Sequence, residues 1–235
     1  MRGSLRVLGT VLIVAGVLTL AWAGVVMLWQ DPFTALYTKW RQHQLTRQYE
    51  RRVHAYDAPP IPTASIAAER RTIARQAFRY RVTSKRGEAI GRIKVPRMGV
   101  DMILVNGTDH ESLKKGPGRD TRTFMPGENR LIYIAGHRTT YLAPFSHIDR
   151  MRRGDRVTLE LPYGTFIYAV THHRIVKATD LSVLRSPRHE LVELQACHPR
   201  FFASHRYIVY ARLVRVEPRA GPAYSPTQEL AARAG

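Results

Sequence analysis

The sequence predicts a mainly β domain carried behind one apolar N-terminal helix, and three observations lead there. The run from Val7 to Trp29 has 23 residues and no charge. From Glu88 onward, short runs of β-branched and apolar residues alternate with turn signals. Between the two lies a basic stretch broken by "APPIPT" at 58–63, where proline restricts both itself and the residue before it.

The elements follow in order. Residues 1–6 are expected to form a short cytoplasmic tail. A helix over 7–29 would reach about 34 Å, enough to cross a bilayer. Ala21-Trp22-Ala23 also matches the small-x-small pattern of signal-peptide cleavage. The apolar run continues for six residues past Ala23, which fits a retained single-pass anchor. Arg2 and Arg6 lie on one side, and Asp31, Lys39, Arg41 and Arg47 on the other, so the positive-inside count is nearly balanced.

Residues 30–85 read as a basic, helix-compatible juxtamembrane linker. Across 31–86, twelve Lys/Arg stand against four Asp/Glu, a net 12 − 4 = +8. Contact with anionic lipid head groups or wall polymer and a solvated spacer both fit that composition. Residues 86–218 carry the strands. "AIGRIKVPRM", "DMILVNG" and "NRLIYIAGH" look like the first three. "DRVTLEL" alternates Val157, Leu159 and Leu161 with polar residues, the period-two signature of a half-buried strand. "PYGT" at 162–165 turns the chain into "FIYAVTHHRIV", so 155–177 reads as a hairpin. "ELVELQAC" and "RYIVYARLVRVEP" complete about seven strands, an antiparallel barrel or sandwich. The Pro/Ala/Gly-rich residues 219–235 read as a disordered tail.

Composition narrows the partners. Net charge is +19, which favours anionic ones. Arginine outnumbers lysine 31 to 6, a skew that a GC-rich genome explains without function. No Cys/His spacing fits zinc and no Asp/Glu cluster fits a calcium loop; Asp109 and Glu111 are isolated. Neither a metal nor another cofactor is expected, and no nucleic-acid motif is present.

Cys197 is the one cysteine, so no internal disulfide can form and the thiol becomes a candidate reactive group. A lone cysteine is also an ordinary small core residue. Cys197 ends one strand and Arg206 begins the next, eight residues of loop later. If those strands pair, both side chains reach one end of the sheet. His137 also sits where a strand stops. The three suit a cysteine-nucleophile site. A neighbouring histidine activates the thiol, and a guanidinium orients a carbonyl or stabilises an oxyanion. His172, His173 and His198 read as structural or solvated.

"RIKVPRMGVDMILVNGT", "LKKGPGR", "PGENRLIYIAGHRTTYLAPFSHID" and "LQACHPRFFASHRYIVYARL", in that order over residues 86–217, resemble a sortase. The "GHRTTY…PF" stretch and the short Cys-to-Arg interval most resemble class E, the actinobacterial housekeeping type. The resemblance implies a closed eight-stranded β-barrel. It makes Cys197 the nucleophile, His137 the general acid/base, and Arg206 the substrate and oxyanion contact. It also implies an extracellular, membrane-anchored transpeptidase that cleaves a C-terminal sorting signal (LAxTG/LPxTG-like) between Thr and Gly. The Thr is then joined to a peptidoglycan-precursor amine. Two departures stand out. The usual Thr-Leu-x-Thr-Cys is Glu193-Leu194-Gln195-Ala196-Cys197, and after "KGPG" the usual His-Tyr is Arg119-Asp120. Ala196, Tyr141 and Asp120 are the expected substrate contacts. An anchored non-catalytic basic module and a thiol protease of the same fold remain alternative readings.

Overall fold

The computed structural model describes residues 2–28, 32–59 and 65–226. Three helices come first: α1 Arg2–Leu28, α2 Pro32–Ala55 and α3 Ile66–Thr83. Eight strands follow: β1 Ala89–Val95, β2 Val100–Asn106, β3 Gly118–Arg119, β4 Leu131–Ala135, β5 Arg156–Leu161, β6 Gly164–Lys177, β7 Leu191–His198 and β8 His205–Pro218. A one-turn helix, α4 His110–Leu113, precedes β3.

The strands close into a barrel in the order β1-β2-β3-β4-β7-β8-β6-β5. The expected hairpin is present: β5 and β6 pair antiparallel from Arg156↔Ala169 to Leu161↔Gly164. The β5 side chains at 157, 159 and 161 are buried, as the alternation requires. Two pairings differ from an all-antiparallel reading. β2·β3 and β4·β7 run parallel. Parallel neighbours need a long crossover, and the β5–β6 hairpin supplies it between β4 and β7. The eighth strand, β3, has only two residues and carries no periodicity that a sequence could reveal.

The barrel interior holds one core, including Ile93, Leu104, Ile134, Leu159, Phe166, Leu194 and Val209. A smaller apolar cluster covers the outer face of β4, β7 and β8, with Leu131, Tyr133, Val183, Leu191, Ile208 and Tyr210.

The basic helices are part of this packing. On α2, Thr38, Gln42, Leu45 and Tyr49 recur at helical spacing and face the barrel. The Gln42 amide accepts from the Ile103 N–H (2.7 Å) and donates to Ile103 O (3.1 Å) and Lys115 O (2.7 Å). Helix α3 starts at Ser65, whose side chain caps the Ala68 N–H at 3.2 Å. Its Ile73, Ala77 and Tyr80 belong to the barrel core, and the Tyr80 hydroxyl donates to Ile90 O at 3.0 Å. The expected proline break falls largely on residues 60–64, outside the described residues.

Residues 219–226, read as part of a disordered tail, instead return to the barrel. Tyr224 exchanges two 2.9 Å backbone hydrogen bonds with Val216 and buries its ring in the core. An aromatic ring offers enough apolar area to order a short Pro/Gly-rich segment. The rest of that expected tail, residues 227–235, lies outside the described residues. Among the described residues one helix, Gly3–Val25, is long and apolar enough to cross a membrane, and none of it is buried.

Candidate active site

Strand register brings the three candidates into one row. β7 and β8 pair antiparallel with Cys197 opposite Arg206. β4 and β7 pair parallel through Ala135↔Gln195, and the Gly136 N–H continues the ladder by donating to Gln195 O at 3.0 Å. Two residues further along that register, His137 falls beside Cys197. Neighbouring strands lie about 4.8 Å apart, so the three residues stand side by side on adjacent stretches of the sheet.

The side chains share a face. On β7 the residues Val192, Leu194 and Ala196 point into the core, and Leu191 points to the outer cluster. Alternation then puts Glu193, Gln195 and Cys197 outside with Leu191. Arg206 lies on the outer side with Ile208 and Tyr210. A cleft of about 280 Å³ covers this face, lined by Asp120, Tyr133, His137, Leu181, Cys197 and Arg206 among others. A larger cleft of about 760 Å³ lies elsewhere, lined by Arg70, Arg71, Arg188 and Arg212, and contains none of the three.

Gly136 is required where it stands. A Cβ there would lie 2.7–3.0 Å from three atoms of the buried Phe145 ring. The Phe145 N–H in turn donates to His137 O at 3.0 Å. The loop that follows is wound tightly: Tyr141, Leu142 and Ala143 all have positive φ (54°, 62° and 38°). Non-glycine residues adopt that conformation at a cost when their surroundings impose it. Here the Ala143 N–H donates to Thr140 O (2.8 Å), and the Tyr141 N–H donates to Thr34 Oγ1 of α2 (3.0 Å).

Burial, aided by the nearby charge of His110, holds the His137 imidazole below its ordinary value, which favours the neutral ring. Its Nε2 is buried and has no hydrogen-bond partner among the described residues. A neutral imidazole with an open nitrogen can accept the thiol proton and return it to a leaving amine. Cys197 is half-buried. Arg206 Nη1 donates to Ala203 O (2.7 Å) and His205 O (3.0 Å), which fixes the plane of the fork.

The expected substrate contacts divide. Asp120 lines the cleft. Burial raises its pKa, but hydrogen bonds from Arg122, its backbone N–H and Thr108 outweigh this, so it is an anion below the usual carboxylate range. Tyr141 packs against the His137 ring, centroids 5.0 Å apart. Ala196 does not join the site: it is fully buried and points into the core, because it sits one residue out of phase with Cys197.

One residue that spacing does not reveal completes the arrangement. Arg138 is buried beside His137. Its Nη1 donates to Cys197 O (3.3 Å) and meets His198 Nδ1 (3.1 Å), and its Nη2 pairs with Asp149 (3.1 Å). It ties the histidine loop to the backbone of the thiol. The adjacent Gly-His is its only sequence mark.

Glu193 lies on the same face, four residues from Cys197, in register between Tyr133 and Tyr210. It is buried, its Oε2 has no partner, and burial pushes its pKa to about 8 against the pull of Arg174. The folded state therefore keeps a proton that the unfolded chain releases near the ordinary glutamate value. Stability falls as pH rises from that value through about 8, by on the order of a few kcal/mol. Glu190, fully buried and raised to about 7, acts in the same direction. Glu193→Gln should flatten that decline: melting temperatures near the wild type at about pH 5 and clearly higher at about pH 8. Parallel melting curves at both pH values would show that Glu193 is already ionised in the fold.

The fold and the row together place the protein among β-barrel proteins built around a single thiol. Residues 93–214 match the Sortase domain family, more than half of the chain, and the chain belongs to the sortase family. It is 34% identical over 133 residues to Sortase D of Bacillus subtilis, covering 54% of this chain and 65% of that one. The structure of sortase E from Streptomyces avermitilis matches at 31% identity and TM-score 0.51, over 57% of this chain and 93% of that one. A Clostridium perfringens Sortase D5 transpeptidase, 22% identical, shares the fold with TM-score 0.60 over 74% of this chain and 98% of that one. The matches span less than two thirds of the length of the curated relatives.

Proposed function

We propose that this protein is a membrane-anchored cysteine transpeptidase with its barrel outside the cell. The observation that carries the reading is the row His137–Cys197–Arg206, all three residues lining one cleft of about 280 Å³. Cys197 gives its proton to His137, and the thiolate attacks the carbonyl carbon of a Thr–Gly amide in a C-terminal sorting signal of the LAxTG/LPxTG kind. Arg206 donates to the developing oxyanion. The C–N bond breaks, the glycine nitrogen takes the proton from His137, and a thioester to Cys197 remains. A wall-precursor amine then attacks that thioester, His137 takes its proton, and the thiol is restored. Asp120 and Tyr141 contact the peptide on either side of the row. Family membership supports the amine as acceptor, and the α1 anchor favours a lipid-linked one by raising its effective concentration.

The test separates transfer from hydrolysis. The full chain in detergent micelles, given an LAxTG or LPxTG peptide, should cut after Thr slowly in water. Triglycine or a diaminopimelate-type amine should then appear joined to the Thr, read by mass spectrometry. A free Thr carboxylate in every product, even at high amine concentration, would make the protein a thiol protease. No cleavage at all would leave the anchored binding module.

A further inference from the structure

The face of α2 turned away from the barrel is divided along its length. Its first two turns expose Phe33 (73%), Leu36 (70%), Tyr37 and Trp40 (54%), spaced so that all lie on one side of the helix. The next turns expose His43, Arg47, Arg51 and His54 in the same direction, with Glu50 the single carboxylate. The apolar half is the half next to α1, with only three residues between the end of α1 and the start of α2. The two helices touch there: the rings of Trp22 and Phe33 are 5.8 Å apart. The Arg41 guanidinium lies 5.5 Å from the centre of the Trp40 ring.

We infer that the first two turns of α2 are seated in the membrane–water interface, with Phe33, Leu36 and Trp40 among the lipids and the arginine face against phosphate head groups. The inference rests on the reading of α1 as a membrane span. A helix joined to the end of a span by three residues cannot lie far from the bilayer surface. Large apolar side chains at that height leave water only by entering lipid, and aromatic residues with nearby arginine favour the interface. The switch from apolar to basic along α2 follows the change from acyl region to head groups. The seat also reaches the catalytic cleft. Thr34, on the same turn as Phe33, accepts the Tyr141 N–H at 3.0 Å, and Tyr141 packs on His137. The cleft mouth is thereby held at the head groups.

Trp40 reports on the seat directly. The chain has three tryptophans, so Trp22→Phe with Trp29→Phe leaves Trp40 alone in the full-length protein. That variant is reconstituted into phosphatidylcholine/phosphatidylglycerol vesicles with and without lipids brominated high on the acyl chain. Expected is a chain that resists carbonate extraction and a Trp40 emission quenched several-fold more by bromolipid than by aqueous iodide. A resistant chain whose Trp40 responds to iodide and not to bromolipid would overturn the seat and leave the anchor standing. A chain released by carbonate would overturn both.

Discussion

Cys197→Ala should abolish both cleavage and amine transfer, a loss of roughly four orders of magnitude or more in kcat/KM, the scale on which nucleophile removals fall. The whole effect is expected in the chemistry. Cys197 is half-buried on the outer face, so loss of one sulfur takes little from the core. The backbone around it is fixed by β8 pairing and by Arg138 on its carbonyl, and neither needs the thiol. The variant should keep the wild-type melting temperature and still bind a sorting-signal peptide. Mass spectrometry should find no acyl adduct on it. Turnover in a well-folded Cys197→Ala chain would end the transpeptidase reading.

Arg206→Lys should lower kcat/KM at least about tenfold, ~1.4 kcal/mol of transition-state stabilisation. Charge is kept in this change and geometry is lost. The arginine uses Nη1 on two carbonyls of its own loop, Ala203 O and His205 O, and among the described residues Nη2 and Nε hold no other hydrogen bond. A planar fork can anchor itself with one nitrogen and present another to an oxyanion. Lysine has a single nitrogen, which must either bond the loop or serve the substrate. The fall should therefore appear in kcat, with folding unaffected. Near-wild-type kinetics would show that Arg206 supplies a field or nothing.

Much of this was legible in the sequence, for physical reasons that differ by element. β5 and β6 announce themselves by alternation, because one side of each faces the core. The one thiol and a histidine at a strand end mark the chemistry, and the Cys-to-Arg interval suits a hairpin that pairs them. The parallel β4·β7 contact, which delivers His137, depends on a crossover that no local pattern encodes. The two-residue β3 is too short for any period. Helices α2 and α3 look like solvated spacers because arginines crowd their outer faces, yet uncharged residues such as Gln42, Thr38, Ile73 and Ala77 make the contacts. Ala196 was expected at the substrate because it adjoins the nucleophile, but adjacency along a strand means opposite faces.

The place of α3 in the core bears on how this barrel could be exchanged between relatives. The family match begins at residue 93, whereas Ile73 and Ala77 are completely buried in the same cluster as β1, β5 and β6. A chimaera joined at 93 would take a barrel wall and leave behind the plug that fills it. The vacated space would cost about 2–5 kcal/mol for the isoleucine alone. A donor helix would fit only if its small and branched residues fell in the same order. Grafts that carry the chain from Pro32 onward would keep both α2 and α3 on their own barrel, so that recombination ahead of α2 preserves the packing while the anchor in front of it varies.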